Sequence, residues 1–111
     1  MRPKFNRALG AATIAALFFF APVSAQEANA AGKAQLCHVC HGSDGMSKLP
    51  DAPHLAGQPA IYLERALRAY RSGERRHEVM NVVAKPLSDA DIRDLAVHYS
   101  AIMIEVKPAT R

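Results

Sequence analysis

Apolar side chains recur at helical spacing in two stretches of this chain. In the first, Ile61, Tyr62, Leu63, Ala66, Leu67 and Tyr70 share one face while Arg65, Arg68 and Arg71 take the other. That pattern predicts an amphipathic helix with a solvated basic face. Pro59 suits its first position and Gly73 follows Ser72 at its end, because a helix start tolerates a missing amide hydrogen and glycine accepts the left-handed turn that stops a helix. In the second stretch Ile92, Leu95, Ala96, Tyr99, Ile102 and Met103 are in phase. Ser88 is placed to cap it, Asp89 and Asp91 fall in the first turn where carboxylates complement the helix dipole, and Pro108 closes the run. A shorter helix is expected upstream, from Asn29 as N-cap through Leu36 and Cys40 to a stop at Gly42. Residues 42–58 are rich in Gly, Ser, Asp and Pro and read as a long loop, with Leu49, Leu55 and Ala56 as its packing residues. Residues 74–87 read as a second irregular stretch. No run alternates with the period of a strand, so the expected class is all-α with three main helices.

The first residues change the size and the charge of what folds. Arg2, Lys4 and Arg7 precede an uncharged, mostly apolar run from Ala8 to Ala21, and Val23, Ser24 and Ala25 offer small residues for cleavage. Residues 1–25 are therefore expected to be a secretory signal peptide, leaving one domain over 26–111 in the periplasm. The apolar run is short of the ~20 residues that span a bilayer, so no membrane insertion is expected after cleavage. The formal net charge of +4 resides largely in the leader's three cations. What remains is close to neutral, which removes the argument for a nucleic-acid partner.

Candidate chemistry centres on Cys37-His38-Val39-Cys40-His41, which contains the only two cysteines. Two thiols three positions apart on a helical turn can add to the two vinyl groups of one haem and leave the following histidine for the iron, the reason C-x-x-C-H marks haem c attachment. A thioredoxin-like pair would want a βαβ pattern around it. A structural zinc would want two more ligands at tight spacing, whereas His54, His77 and His98 are scattered. A covalent haem also supplies bulk to a domain that lacks Trp altogether, the chain's four Phe all falling in the leader.

The other side of such an iron has few candidates. Met46 lies too close to His41 in sequence, and Met103 belongs to the apolar stripe of the last helix, where packing is the expected role. Met80, on the second irregular stretch, has the reach. His77 is its rival, and the spacing alone leaves the two open. His38 is expected to face solvent.

Cys37-His38-Val39-Cys40-His41-Gly42, Asp44-Gly45, Pro53-His54-Leu55-Ala56-Gly57-Gln58, Tyr62-Leu63, Gly73-Glu74-Arg75, Met80 and Leu87-Ser88-Asp89 occur in that order. The ordered set resembles a class I cytochrome c, of the small bacterial single-haem kind related to the halves of dihaem cytochromes. The resemblance implies helices and long loops wrapped around one covalent haem, with the first and last helices crossing near Tyr99. It implies His41 and Met80 as iron ligands, a Pro53 carbonyl accepting the His41 Nδ1 hydrogen, and Arg75 near the haem propionates. His77 stands where relatives often carry Asn, and the crossing residue is left between Gly32 and Ala30. The function implied is a monomeric electron carrier that transforms no substrate and docks redox partner proteins at an exposed porphyrin edge. Two alternatives are a haem domain with a displaceable sixth ligand and peroxidase-like chemistry, and a small cytochrome subunit of a larger oxidoreductase.

Overall fold

The computed structural model describes residues 25–109, with side chains from residue 29 onward. The leader expected over residues 1–25 lies, apart from Ala25, outside the described residues. Four helices and no strand occur among them: α1 (Ala25–His41), α2 (Ala60–Ser72), α3 (Glu78–Ala84) and α4 (Asp89–Ser100). None is long and apolar enough to cross a membrane.

α1 is longer than the sequence pattern suggested. It begins by Ala25, so Asn29 is an exposed interior residue and not its cap. Its end is as expected. Gly42 takes φ +82° and its amide returns to the His38 carbonyl at 3.0 Å. A side chain there would stand 2.5 Å from the Met46 carbonyl oxygen, so only glycine lets the loop fold back this tightly.

α1 and α4 cross through small residues. Ala34 and Ala96 are fully buried, and with Leu63, Leu95 and Tyr99 they form the core, against which Cys37, Leu55, Ala60, Leu67, Leu87 and Ile102 pack. The Tyr99 hydroxyl reaches the Ala34 carbonyl at 3.5 Å. Ala30 is buried as well, while nothing stands within 4 Å of where a Gly32 side chain would be. The crossing therefore runs over Ala30 and Ala34, and Gly32 has no part in it. Large side chains are scarce in this core: Ile92 and Leu95 are the largest that are fully buried.

The caps of α2 and α4 follow the sequence. Pro59 is the N-cap of α2, one position ahead of the expected one, and Gly73 is its left-handed C-cap at φ 83°. Ser88 caps α4 in a reciprocal box, its hydroxyl accepting the Asp91 amide at 3.1 Å while the Asp91 carboxylate accepts the Ser88 amide at 2.9 Å. Lys33 on α1 forms an ion pair with the same carboxylate. That ammonium, ahead of the Ser88 bonds, pulls the Asp91 carboxyl down to about 2.

Three expectations fail here. The arginine stripe of α2 is not simply solvated, since Arg68 and Arg71 both meet Asp89 at the start of α4, at 2.7 and 2.6 Å, and Arg71 also donates to the Leu87 carbonyl at 2.9 Å. α4 stops at Ser100, well before Pro108. The Ala101 and Ile102 amides turn back on the Val97 and Tyr99 carbonyls, and the Gly57 amide also takes Tyr99 at 3.0 Å. Met103 consequently leaves the helical stripe and is 93% exposed, so it packs nothing. Finally, residues 74–87 are not all irregular. α3 lies within them and carries Met80.

Candidate haem-attachment site

The last turn of α1 presents the motif. Cys37 and Cys40 are both partly buried and are not bridged to each other. Burial pushes the Cys37 thiol up, and a hydrogen bond from Tyr99 partly offsets this. The Tyr99 phenol is itself raised, chiefly by burial. Ser47, a buried loop residue with no signature in the sequence, ties the motif down: its hydroxyl donates to the Cys40 carbonyl at 2.8 Å and accepts the Leu49 amide at 3.0 Å. That carbonyl is one of those left over at a helix end, so the bond has a definite task.

His41 is 6% exposed and its Nδ1 lies 2.8 Å from the Pro53 carbonyl. A carbonyl can only accept, so Nδ1 must carry the proton. Nε2 is then left with its lone pair free, the tautomer a metal-ligating imidazole needs. Pro53 sits in the loop that the Gly45 carbonyl closes by accepting the Leu55 and Ala56 amides at 2.8 and 3.1 Å. Gly45 has φ +73°, and a side chain on it would stand 2.9 Å from the Ala56 nitrogen. The loop thus has a defined course, and that course places the Pro53 carbonyl over the imidazole.

Met80 is the third residue of α3, half-buried. Close helix packing runs α1 on α4, α4 on α2 and α2 on α3. His41 and Met80 therefore belong to the first and last members of that series. His77 caps α3, its Nδ1 accepting the Val79 and Met80 amides at 3.3 Å each. Amides can only donate, so this Nδ1 is unprotonated and its lone pair is already used, the reverse of His41. His38, expected in solvent, is half-buried, and its Nε2 is shielded with no hydrogen-bond partner among the described residues. Arg75 is exposed, with its guanidinium 4.7 Å from the Tyr70 ring centre and hydrogen-bonded to the Tyr62 hydroxyl. Asn81, which sequence reasoning passed over, ties α3 to the end of α2 by donating to the Tyr70 carbonyl and to the Arg75 carbonyl just beyond it, and it accepts the His77 amide. An Asn beside the candidate ligand was the only cue available.

The donor set fits a haem c: two unbridged thiols at the required spacing on one helix end, followed by a buried imidazole in the ligating tautomer. No cluster of three or more His, Cys, Asp or Glu that could hold a bare metal ion is found among the described residues, so the zinc alternative has no ligand set there. With no strand among those residues, the βαβ setting of a thioredoxin-like pair is missing too.

Comparison with known proteins agrees with this chemistry. The cytochrome c family model matches residues 25–99. The thiosulfate dehydrogenase electron acceptor of Thiomonas intermedia is 45% identical over 106 residues, covering 94% of this chain and 48% of that protein. Cytochrome c-554(548) of Halomonas halodenitrificans is 46% identical over 68 residues, 59% of this chain and 82% of its own length. Cytochrome c4 of Pseudomonas aeruginosa is 36% identical over 74 residues, 67% of this chain and 37% of its own. The chain thus spans about half or less of the length of the first and third relatives. Family match, helical fold and donor set agree, and over residues 25–99 the chain belongs to the cytochrome c family of electron carriers, holding one c-type haem through Cys37 and Cys40.

Proposed function

We propose that the protein is a periplasmic single-electron shuttle in which His41 and Met80 would hold the iron of the haem. The tautomer of His41, dictated by the Pro53 carbonyl at 2.8 Å, is the observation that carries this reading. A haem c stores and releases one electron at its iron, and a methionine sulfur on that iron favours the ferrous form and raises the potential. Each residue then has a defined task. His41 offers its Nε2 lone pair, and Pro53 fixes the plane of the ring and makes it a stronger donor. Met80 offers a soft thioether from α3. Its rival His77 would have to give up two amide hydrogens to ligate, and that favours sulfur. Arg75, held by Tyr62 and Tyr70, supplies the fixed cation for the propionates. The shuttle works as a monomer after removal of residues 1–25 and exchanges electrons with protein partners.

The relative from Thiomonas, named as an electron acceptor for thiosulfate dehydrogenase, suggests the donor class: a periplasmic dehydrogenase that oxidises an inorganic sulfur anion. Intact mass and the visible spectrum of protein matured with its haem-attachment machinery test the core of this reading. One haem per chain, no alkylatable thiol and a ferric spectrum with the sulfur-to-iron charge-transfer band are expected. Colourless protein with two free thiols would refute it. Rapid reduction by a thiosulfate dehydrogenase supplied with thiosulfate tests the donor, and reduction no faster than with the dehydrogenase omitted would remove that assignment.

A further inference from the structure

His77 and Asn81 lie on either side of Met80, and between them they satisfy the backbone of the turn that carries it. His77 is in extended conformation ahead of α3, and its Nδ1 accepts the Val79 amide and Met80's own amide at 3.3 Å each. Asn81 answers in the other direction. Its Oδ1 accepts the His77 amide at 2.7 Å, and its side-chain nitrogen donates to the Tyr70 carbonyl at 2.6 Å and the Arg75 carbonyl at 2.8 Å. Tyr70 belongs to the last turn of α2 and Arg75 to the turn that follows, so this one amide joins the start of α3 to the end of α2. The Asn81 backbone amide returns to the His77 carbonyl at 3.0 Å, and the His77 ring stands edge-on to Tyr70 with centroids 6.4 Å apart.

These polar ties matter because α3 is short. A helix of seven residues is far below the length that persists alone in water. It buries only Ala84, while Val82 is 72% exposed and Val79 is exposed as well. The caps and the Asn81 bridge therefore fix the Met80 backbone alongside the packing of α3 on α2.

We infer that His77 and Asn81 are positioning residues for Met80, a polar clamp that holds its sulfur on the iron and thereby sets how easily an outside ligand takes the sixth position. The inference rests on the His41 and Met80 ligation proposed above. Residues that do not themselves ligate the iron would in this way control the access that separates an electron carrier from a ligand-binding haem protein.

The test uses ferric holoprotein titrated with imidazole, followed by loss of the sulfur-to-iron charge-transfer band, in wild type, His77→Ala, His77→Asn, Asn81→Ala and Met80→Ala. Loss of a helix cap opens the turn by a modest factor, so His77→Ala is expected to bind imidazole about fivefold more tightly. His77→Asn should return to the wild-type value, since an Asn carbonyl accepts the same two amides. Asn81→Ala, which cuts three bonds, should exceed His77→Ala. If Asn81→Ala does not yield folded holoprotein, the two His77 variants decide alone. His77→Ala with wild-type imidazole affinity overturns the clamp, even if its melting temperature falls, because that pattern belongs to a merely structural cap. Failure of His77→Asn to restore the wild-type value overturns it too. Met80→Ala that keeps the sulfur band would instead sink the ligation reading beneath it.

Discussion

His41 comes off a 17-residue helix whose buried alanines lie against α4, whereas Met80 comes off a seven-residue helix that buries one alanine and packs on α2. The first side combines a fully packed crossing, a buried imidazole, a glycine-closed loop and the two attachment cysteines. The second is held by hydrogen bonds to His77 and Asn81 at the surface. Unequal anchoring of this kind means that disturbances should release the sulfur side first. Packed cores resist small displacements, while a short capped helix opens locally at little cost. On the ligation proposed above, the attachment side would preserve the cofactor and the sulfur side would set its potential and its access.

The largest expected effect comes from breaking the strong side. His41→Ala should abolish stable six-coordinate holoprotein, read from the visible spectrum of purified material; a normal low-spin spectrum would remove His41 from the iron. Met80→Ala should be milder, keeping the haem attached while the potential falls and external ligands bind. An unchanged midpoint potential in a redox titration would take Met80 out of the site.

Ala34→Leu sharpens the comparison by overpacking the α1–α4 crossing, where Ala34 is fully buried. A cost of about 1–3 kcal/mol of unfolding free energy is expected in denaturant titration, with the imidazole affinity of the folded protein unchanged. Increased imidazole affinity would mean that the two sides are coupled and not separately held.

The smallest effect concerns acid. Asp91 ties α4 to Lys33 of α1, and its carboxyl is lowered from 3.8 to about 2, chiefly by that lysine. A depressed carboxyl contributes stability that is complete above its unfolded value and is lost as pH falls through the folded one, here between about 4 and 2. Asp91→Asn should remove this part of the acid dependence. Urea midpoints at about pH 5 and about pH 2.5 should lie closer together in the variant than in wild type. An equal spread in the two would assign the acid sensitivity to other groups.

The sequence disclosed the two sides unequally, for the same physical reason. Attachment is local chemistry, so Cys37, Cys40 and His41 are legible from spacing alone, and Ser88 with Asp91 announced α4 through residues that cap helices by rule. Pro53 was legible by resemblance, and its carbonyl stands where that resemblance put it. α3 stayed hidden because Glu78–Ala84 contains three valines, weak helix formers, and because His77 is not among the usual N-cap residues. It forms through contacts made at a distance, Asn81 to Tyr70 above all, and no local pattern records those. Met103 misled in the opposite way. Its periodicity was right, but the Tyr99 carbonyl is claimed by the loop glycine Gly57 and the helix ends before reaching it. Ser47 left no trace, since a buried serine in a loop looks like any other.

The central claim, one covalent haem with the Met80 sulfur on its iron, is tested most directly by the proton spectrum of the ferrous protein with its methionine methyl groups isotopically labelled. A methyl bound over a porphyrin is shifted far upfield by the ring current, beyond any other methyl in a folded chain. One such three-proton resonance is predicted, present in wild type and missing in Met80→Ala. No resonance in that region, or one that survives Met80→Ala, would contradict the account.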